Sequence, residues 1–135
     1  MAEIFLGMLL GHLAGDYLFQ SKKMALKKSE KGWYGLAWCV LHCLIYTACV
    51  CAFLRTLNAL VWALVFLSHF PIDRWSLGHW WLKMIRGRDI LKAYETENKY
   101  REIDLAFSCI VYVVVDNTLH LILLWLVALL IINPL

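Results

Sequence analysis

The feature that most constrains the fold is a long apolar stretch, residues 105–135, that contains ionisable side chains. Asp116 and His120 lie four residues apart in it, so a helix would place both on one face. The stretch is long and apolar enough to cross a bilayer. Because a carboxylate at that depth costs about 2.5–3.5 kcal/mol on insertion scales, its presence indicates that a partner compensates the charge.

The same pairing recurs in other apolar parts of the chain. His12 precedes Asp16 by four residues, and His69 precedes Asp73 by the same spacing. His42 stands alone in a further apolar run. The pattern therefore predicts a fold that brings ionisable side chains from four apolar helices together.

Composition supports a membrane protein. The chain is 62% hydrophobic and 17% charged, whereas soluble domains are about 45–50% apolar and about 25% charged. The sequence predicts an all-α integral membrane protein, a bundle of four transmembrane helices that forms a single membrane domain over residues 1–135. The predicted spans are residues 4–20, 34–54, 59–73 and 108–131.

The basic residues predict the orientation. All Lys and Arg residues except Arg55 fall in residues 22–31 and 74–101. Cytoplasmic loops are enriched in these residues, so segments 21–33 and 74–107 are predicted to be cytoplasmic and both termini external, in a bacterial inner membrane. Binding to a nucleic-acid duplex is not expected. Residues 75–86 mix three Trp with basic residues, which is typical of an amphipathic interfacial helix, and Gly87 is predicted to end it.

Two further residue types indicate helix packing. Gly7, Gly11 and Gly15 repeat at four-residue spacing, a small-residue stripe that lets another helix approach closely. The five Cys all lie in apolar runs, which predicts buried thiols and no disulfide framework.

The polar residues share one predicted depth. At about 1.5 Å per helical residue, all of them fall in the cytoplasmic half of the membrane, so the bundle is predicted to enclose a polar pocket open to the cytoplasm. The candidate metal ligands are His12, Asp16, His42, His69, Asp73, Asp116 and His120. Asp16, Asp73 and Asp116 are also the candidate catalytic residues, with one of them as a general base or a support for the ligands.

These ligand types suit divalent metal ions. Seven ligands exceed what one tetrahedral zinc needs and fit two metals, with zinc favoured and manganese or iron as alternatives. Two divalent ions, three carboxylates and one bridging hydroxide sum to zero charge. Such a pair activates water and stabilises an in-line displacement. The predicted function is hydrolysis of a phosphoester or phosphoanhydride from the cytoplasmic side, and the substrate is lipid-linked or a nucleotide.

Two other functions fit the same residues. One is a metal-ion or proton transporter, and the other is a non-catalytic membrane adaptor with a structural metal. The outer half of the spans has few polar residues, which favours the hydrolase over a transporter. The expected partners are membrane lipid and an anionic, phosphate-bearing substrate, with a second copy of the chain as a further candidate.

Four motifs carry a family resemblance: residues 11–21 (GHLAGDYLFQS), 41–47 (LHCLIYT), 69–73 (HFPID) and 116–121 (DNTLHL). Together they resemble domain of unknown function 3307, a family of small bacterial and phage membrane proteins. That family is distantly similar to inner-membrane-associated metal-dependent hydrolases. The resemblance covers nearly the whole chain, and it implies a hydrolase without indicating a substrate.

Overall fold

The computed structural model describes residues 2–132, which form helices and short connections with no strand in that range. The helices are α1 (Ala2–Leu13), α2 (Lys22–Lys27), α3 (Gly32–Phe53), α4 (Ala59–Arg74), α5 (Leu77–Arg86), α6 (Ile90–Glu95) and α7 (Arg101–Ile132). A π-helical turn, Ala14–Leu18, continues α1. The predicted all-α class is confirmed.

Four of the helices form a closed bundle. Helix α1 packs against α3, α3 against α4, α4 against α7, and α7 against α1. The short helix α2 lies against α3, and α5 and α6 both pack on α7. The four predicted spans coincide with α1 and its π-helical turn, α3, α4 and α7.

Within residues 2–132, two helices reach the length and hydropathy needed to cross a membrane, α3 with 22 residues and α7 with 32. Helix α4 has 16 residues, or about 24 Å at 1.5 Å per residue, which is shorter than a hydrocarbon core of about 30 Å. The two long helices are compatible with membrane association by length and composition. The four-span arrangement stays a prediction.

The ends of the shorter helices follow from their sequences. Asn58 caps α4, because its side-chain oxygen accepts hydrogen bonds from the backbone N–H groups of Leu60 and Val61. Asp89 caps α6 in the same way. Gly87 ends α5 in a left-handed conformation at φ 62°, so the predicted helix end at this glycine is confirmed.

The glycine stripe lies where α1 meets α3. A Cβ atom on Gly11 would lie 2.4 Å from Val50 Cα, and one on Gly15 would lie 2.9 Å from Tyr46 Cδ2. Both helices therefore approach more closely than any larger residue would permit. This close approach brings the end of α1 and its π-helical turn against the middle of α3.

An apolar core fills one half of the bundle. It consists of Met8, Tyr46, Val50, Cys51, Val61, Val65, Leu124, Val127 and Ala128. All five cysteines are free, as predicted, and Cys39, Cys43 and Cys51 are buried. Cys109 is exposed because it lies on the outward face of α7, so the prediction of burial is wrong for this residue.

Candidate metal centre

Four histidines meet inside the bundle, one from each main helix. His12 comes from α1, His42 from α3, His69 from α4 and His120 from α7, and each is at most 2% exposed. Asp73, near the end of α4, is 3% exposed. Histidine and aspartate are seldom buried so completely unless they are paired or bind a ligand.

Three ligand atoms from α3 and α4 form a compact triangle. Nε2 of His42 lies 3.0 Å from Nε2 of His69, and each of these nitrogens lies 3.0 Å from Oδ2 of Asp73. In a tetrahedral zinc site with bonds of about 2.0–2.1 Å, the ligand atoms lie about 3.3 Å apart. The triangle has the dimensions of one face of such a site.

Asp16 adds a carboxylate from the π-helical turn. Its Oδ1 lies 3.2 Å from Nε2 of His42 and 3.6 Å from Nε2 of His69, and its Oδ2 lies 3.2 Å from Nδ1 of His12. π-helical turns are common at functional sites, where they change the direction of a side chain. Asp16, His69 and His120 form a second group close enough to hold a metal ion, and this group shares His69 with the triangle.

Several of these atoms are buried without a hydrogen-bond partner among the described residues. They are Asp16 Oδ1, His69 Nδ1 and His120 Nε2. Asp73 Oδ2 also lacks a hydrogen bond of good geometry, but it lies 2.8 Å from the Lys28 ammonium. The imidazole nitrogens near the two oxygens lie at short distance but outside hydrogen-bonding geometry. Nitrogen and oxygen atoms that can each supply a lone pair therefore converge here, which is the arrangement that a cation stabilises.

His120 is oriented as a metal ligand would be. Its Nδ1–H donates to the backbone carbonyl of Asp116 at 2.8 Å, which leaves Nε2 with a free lone pair. Metal-binding histidines usually donate their second N–H to such an acceptor. The free Nε2 lies 3.8 Å from Oδ1 of Asp73. Asp73 thus directs one oxygen toward His42 and His69, and the other toward His120.

The orientation of His12 is set by Asn117. Asn117 Nδ2 donates to the carbonyl of Val113 at 2.7 Å and to the Tyr17 hydroxyl. Since a carbonyl oxygen can only accept, the amide oxygen of Asn117 must be the atom 2.9 Å from Nε2 of His12, and that nitrogen must donate. Nδ1 of His12 is then the nitrogen that faces Asp16.

Tyr46 and Gln20 support the imidazoles. The Tyr46 ring stacks on His69 at 3.5 Å between centroids, and its hydroxyl lies 3.3 Å from Nδ1 of His12. The side-chain amide of Gln20 lies 3.0 Å from Nε2 of His42.

Asp116 stands apart from the other predicted ligands. Its Oδ2 lies 3.6 Å from Nδ1 of His120, on the side away from His120 Nε2, and it is in neither of the groups that could hold a metal. Helix α5 packs against it, since a Cβ on Gly78 would lie 2.6 Å from Asp116 Oδ1. The fold therefore brings six of the seven predicted residues into contact and leaves the Asp116 carboxylate at the margin.

A polar cavity opens beside the cluster. Its volume is about 230 Å³, and it is lined by Asp16, Tyr17, Gln20, Lys28, Tyr112, Asp116 and Asn117, with Ala25 and Val113. Lys28 is its only cationic side chain, and Lys28 Nζ lies 2.8 Å from Asp73 Oδ2. The cavity gives the Asp16 side of the cluster access to solvent.

Comparison with known proteins identifies the family. A family model described as a protein of unknown function (DUF3307) matches residues 4–134. The chain belongs to this family. No curated protein and no solved structure matches it significantly, so the predicted distant similarity to metal-dependent hydrolases stays a prediction.

Three residues at the site were not assigned a role from the sequence: Lys28, Tyr46 and Asn117. Tyr46 follows His42 by four residues, so helical spacing could have placed it at the site. Asn117 lies next to Asp116 in the apolar run, and the cost of burying an amide could have identified it. Lys28 had no such signal, because one lysine in a basic loop looks like its neighbours.

Proposed function

We propose that this chain is a membrane-embedded, metal-dependent hydrolase that acts on a phosphoester or phosphoanhydride. The observation that carries the proposal is the convergence of ligand atoms from His42, His69, Asp73 and Asp16 inside the bundle. Asp16 Oδ1 is buried there without a hydrogen-bond partner among the described residues. A buried set of this kind is costly to fold unless a cation binds there.

The distribution of polarity supports insertion into a membrane. The buried interior contains four histidines and an aspartate, while large apolar residues such as Leu67 and Ile110 on α4 and α7 are more than 60% exposed. Monomeric soluble proteins rarely expose extensive apolar surface. We infer that lipid covers the outside of the bundle and that all four main helices cross the bilayer, with the shorter α1 and α4 accommodated by local thinning.

Orientation follows from the basic loops in this proposal. The cavity beside Asp16 is lined by Lys28, which belongs to the first basic segment. If the basic segments are cytoplasmic, then the site opens to the cytoplasm of a bacterial inner membrane and both termini are external.

We propose that the site binds two metal ions. One would bind His42, His69 and Oδ2 of Asp73. The second would bind His120 and Asp16, with Asp73 Oδ1 beside it. One imidazole nitrogen has one lone pair, so His69 can serve only one of the two ions through Nε2. Zinc is the preferred metal because the ligands are imidazole and carboxylate, and manganese or iron would also suit them.

The chemistry supplied by such a centre is hydrolysis. Bound metal lowers the pKa of water toward about 7 and stabilises charge on a phosphoryl group. Asp16 lies between the ligand cluster and the cavity, where its carboxylate can accept the proton of the attacking water. The phosphate-bearing end of the substrate would enter through this cavity.

The apolar layer behind the site favours a hydrolase over a transporter. Val50, Val65 and Leu124 are buried directly beyond the histidines. Among the described residues, two buried polar side chains lie outside the cluster: Thr47, which lies between His42 and Val50 on α3, and Ser108, which lies near the basic loop. Transport would need a polar path through this layer.

The test is metal analysis joined to an activity assay. Protein purified in mild detergent is expected to contain two zinc ions per chain by elemental analysis and to hydrolyse bis(p-nitrophenyl) phosphate or pyrophosphate with added Zn²⁺ or Mn²⁺. Asp73→Asn should lose metal and turnover. Folded protein that binds no metal, or no turnover above this variant, would refute the hydrolase. Zinc flux into liposomes without hydrolysis would favour the transporter.

A further inference from the structure

We propose that Lys28 is the anion-binding residue of this site, and that it competes with metal for Asp73 until metal binding directs it to the phosphate group of the substrate. This inference rests on the proposed function and assigns a specific recognition role within it. In the sequence alone, Lys28 is one of several basic residues that predict the topology.

The position of Lys28 distinguishes it from the other lysines of its segment. Its side chain is 15% exposed and its ammonium lies 2.8 Å from Asp73 Oδ2, the oxygen that also faces His42 and His69. Lys27, one residue earlier, pairs with Glu30 on the surface at 2.6 Å. Only Lys28 reaches the cluster.

The backbone that carries Lys28 is firmly held. Arg74, the residue after Asp73, donates to the carbonyl of Glu30 at 2.6 Å and to that of Lys28 at 3.5 Å. Gly35 in α3 lets the loop pack closely, since a Cβ there would lie 2.0 Å from the Glu30 carbonyl oxygen. The same end of α4 therefore supplies Asp73 to the site and fixes the loop that presents Lys28.

A metal ion and the Lys28 ammonium are alternative partners of Asp73 Oδ2, because both are positively charged. A divalent ion bound to this oxygen would lie within a few ångströms of the ammonium, where the two like charges repel each other. The lysine side chain is long and flexible, and Lys28 already lines the cavity. When metal binds, the ammonium can turn into the cavity and donate to an anion there.

The cavity indicates what that anion is. It holds about 230 Å³, less than the roughly 300–1,000 Å³ of pockets that enclose a drug-sized ligand. It therefore accommodates a phosphate group and leaves the rest of the substrate outside. A lysine ammonium recognises a phosphate oxygen through a charge-assisted hydrogen bond. Asp16 and Asp116 on the same walls repel anions, so Lys28 and the bound metal must supply the attraction.

Two binding measurements test this role without measuring activity. Lys28→Gln is compared with wild type and with Lys27→Gln, which removes the same charge one residue away on the surface. Calorimetric titration with Zn²⁺ alone should show about tenfold tighter binding in Lys28→Gln. Titration of the zinc-loaded protein with inorganic phosphate should show about 10–100-fold weaker binding in Lys28→Gln. Lys27→Gln should match wild type in both titrations.

Lys28→Arg keeps the charge and should keep phosphate binding within a few-fold, which separates loss of an anion partner from a disturbed loop. Unchanged zinc and phosphate affinities in Lys28→Gln, or a change in only one of them, would overturn the inference while the metal centre stands. If Lys28→Gln does not fold, an unaltered phosphate affinity in Lys28→Arg supports the role and a lost one overturns it. Wild-type protein that binds no zinc would overturn both the metal centre and this role.

Discussion

Two adjacent layers of the same four helices contrast sharply. In one layer the buried residues are His12, His42, His69 and His120, and in the next they are Met8, Tyr46, Val65 and Leu124. On every helix the two residues are four positions apart, so they share a face and differ by about one turn. The apolar residue precedes the histidine on α1 and α4 and follows it on α3 and α7, as neighbouring antiparallel helices require.

The two layers differ in role: the apolar layer stabilises the fold, and the histidine layer is suited to bind a ligand. In the apolar layer, Met8, Val65 and Leu124 are stabilised by packing alone, and the Tyr46 hydroxyl lies 3.3 Å from His12 Nδ1. The histidine layer contains buried nitrogen and oxygen atoms that lack partners, and these destabilise the fold unless something binds them. We therefore expect substitutions in the histidine layer to change metal binding and substitutions in the apolar layer to change folding stability.

The largest effect is expected from His69→Ala. His69 belongs to both groups that could hold a metal, so its loss should reduce bound zinc to background and abolish hydrolysis. Ser68→Ala is the matched control, because the Ser68 hydroxyl donates only to the Val65 carbonyl. Elemental analysis of both purified variants makes the comparison, and full zinc content in His69→Ala would contradict the site.

Leu124→Ala tests the apolar layer. Leu124 is 1% exposed in the core, and removing a buried leucine side chain costs about 2–5 kcal/mol of folding free energy. Zinc content per folded chain should not change. Unfolding in detergent by a chemical denaturant measures the first effect. Loss of metal from still-folded Leu124→Ala protein would show that the two layers are not separable.

Gly11→Ala tests the contact that aligns α1 with α3. A Cβ here would lie 2.4 Å from Val50 Cα, so the helices must separate, at a cost of about 1–3 kcal/mol. At Gly7 the nearest atom would be the Leu54 Cδ2 at 3.2 Å, a side-chain atom that can move. Gly7→Ala should therefore cost less, and equal thermal shifts for the two variants would argue against the close approach.

Asn117→Ala tests the support of the histidine layer. Asn117 accepts from His12, which contacts Asp16, and loss of such supporting contacts typically lowers metal affinity or activity about 10–100-fold. Zinc titration should show this decrease with little change in unfolding. Thr118→Ala is the control, because the Thr118 hydroxyl donates to the Val114 carbonyl of its own helix. Equal losses of zinc affinity in the two variants would argue against a supporting role for Asn117.

Several features of the fold were predictable from local signals. The four main helices, the end of α5 at Gly87 and the close approach of another helix to the glycine stripe of α1 follow from hydrophobic runs, turn residues and four-residue spacing. The convergence of the histidines was predictable because burying an ionisable group in an apolar helix needs compensation. These signals act within one helix or one residue, so the sequence reveals them directly.

The details of the site depended on contacts between segments distant in sequence. Asp116 shares the spacing of the other pairs, yet packing of α5 over it at Gly78 keeps its carboxylate at the margin. Asn117 contacts His12 across 105 positions. Lys28 reaches Asp73 from a loop whose backbone accepts a hydrogen bond from Arg74.

Local patterns in the sequence are enough to predict that this protein is helical and that ionisable residues lie within its apolar helices and need partners in the interior. It could do so because helical periodicity and the cost of burying charge are local properties of the chain. Which atoms face one another depends on the rotation of each helix and on loops that fold back across the bundle, so only the folded chain shows it. For this reason Asp73 lies at the centre of the site, Asp116 at its edge, and a loop lysine within it.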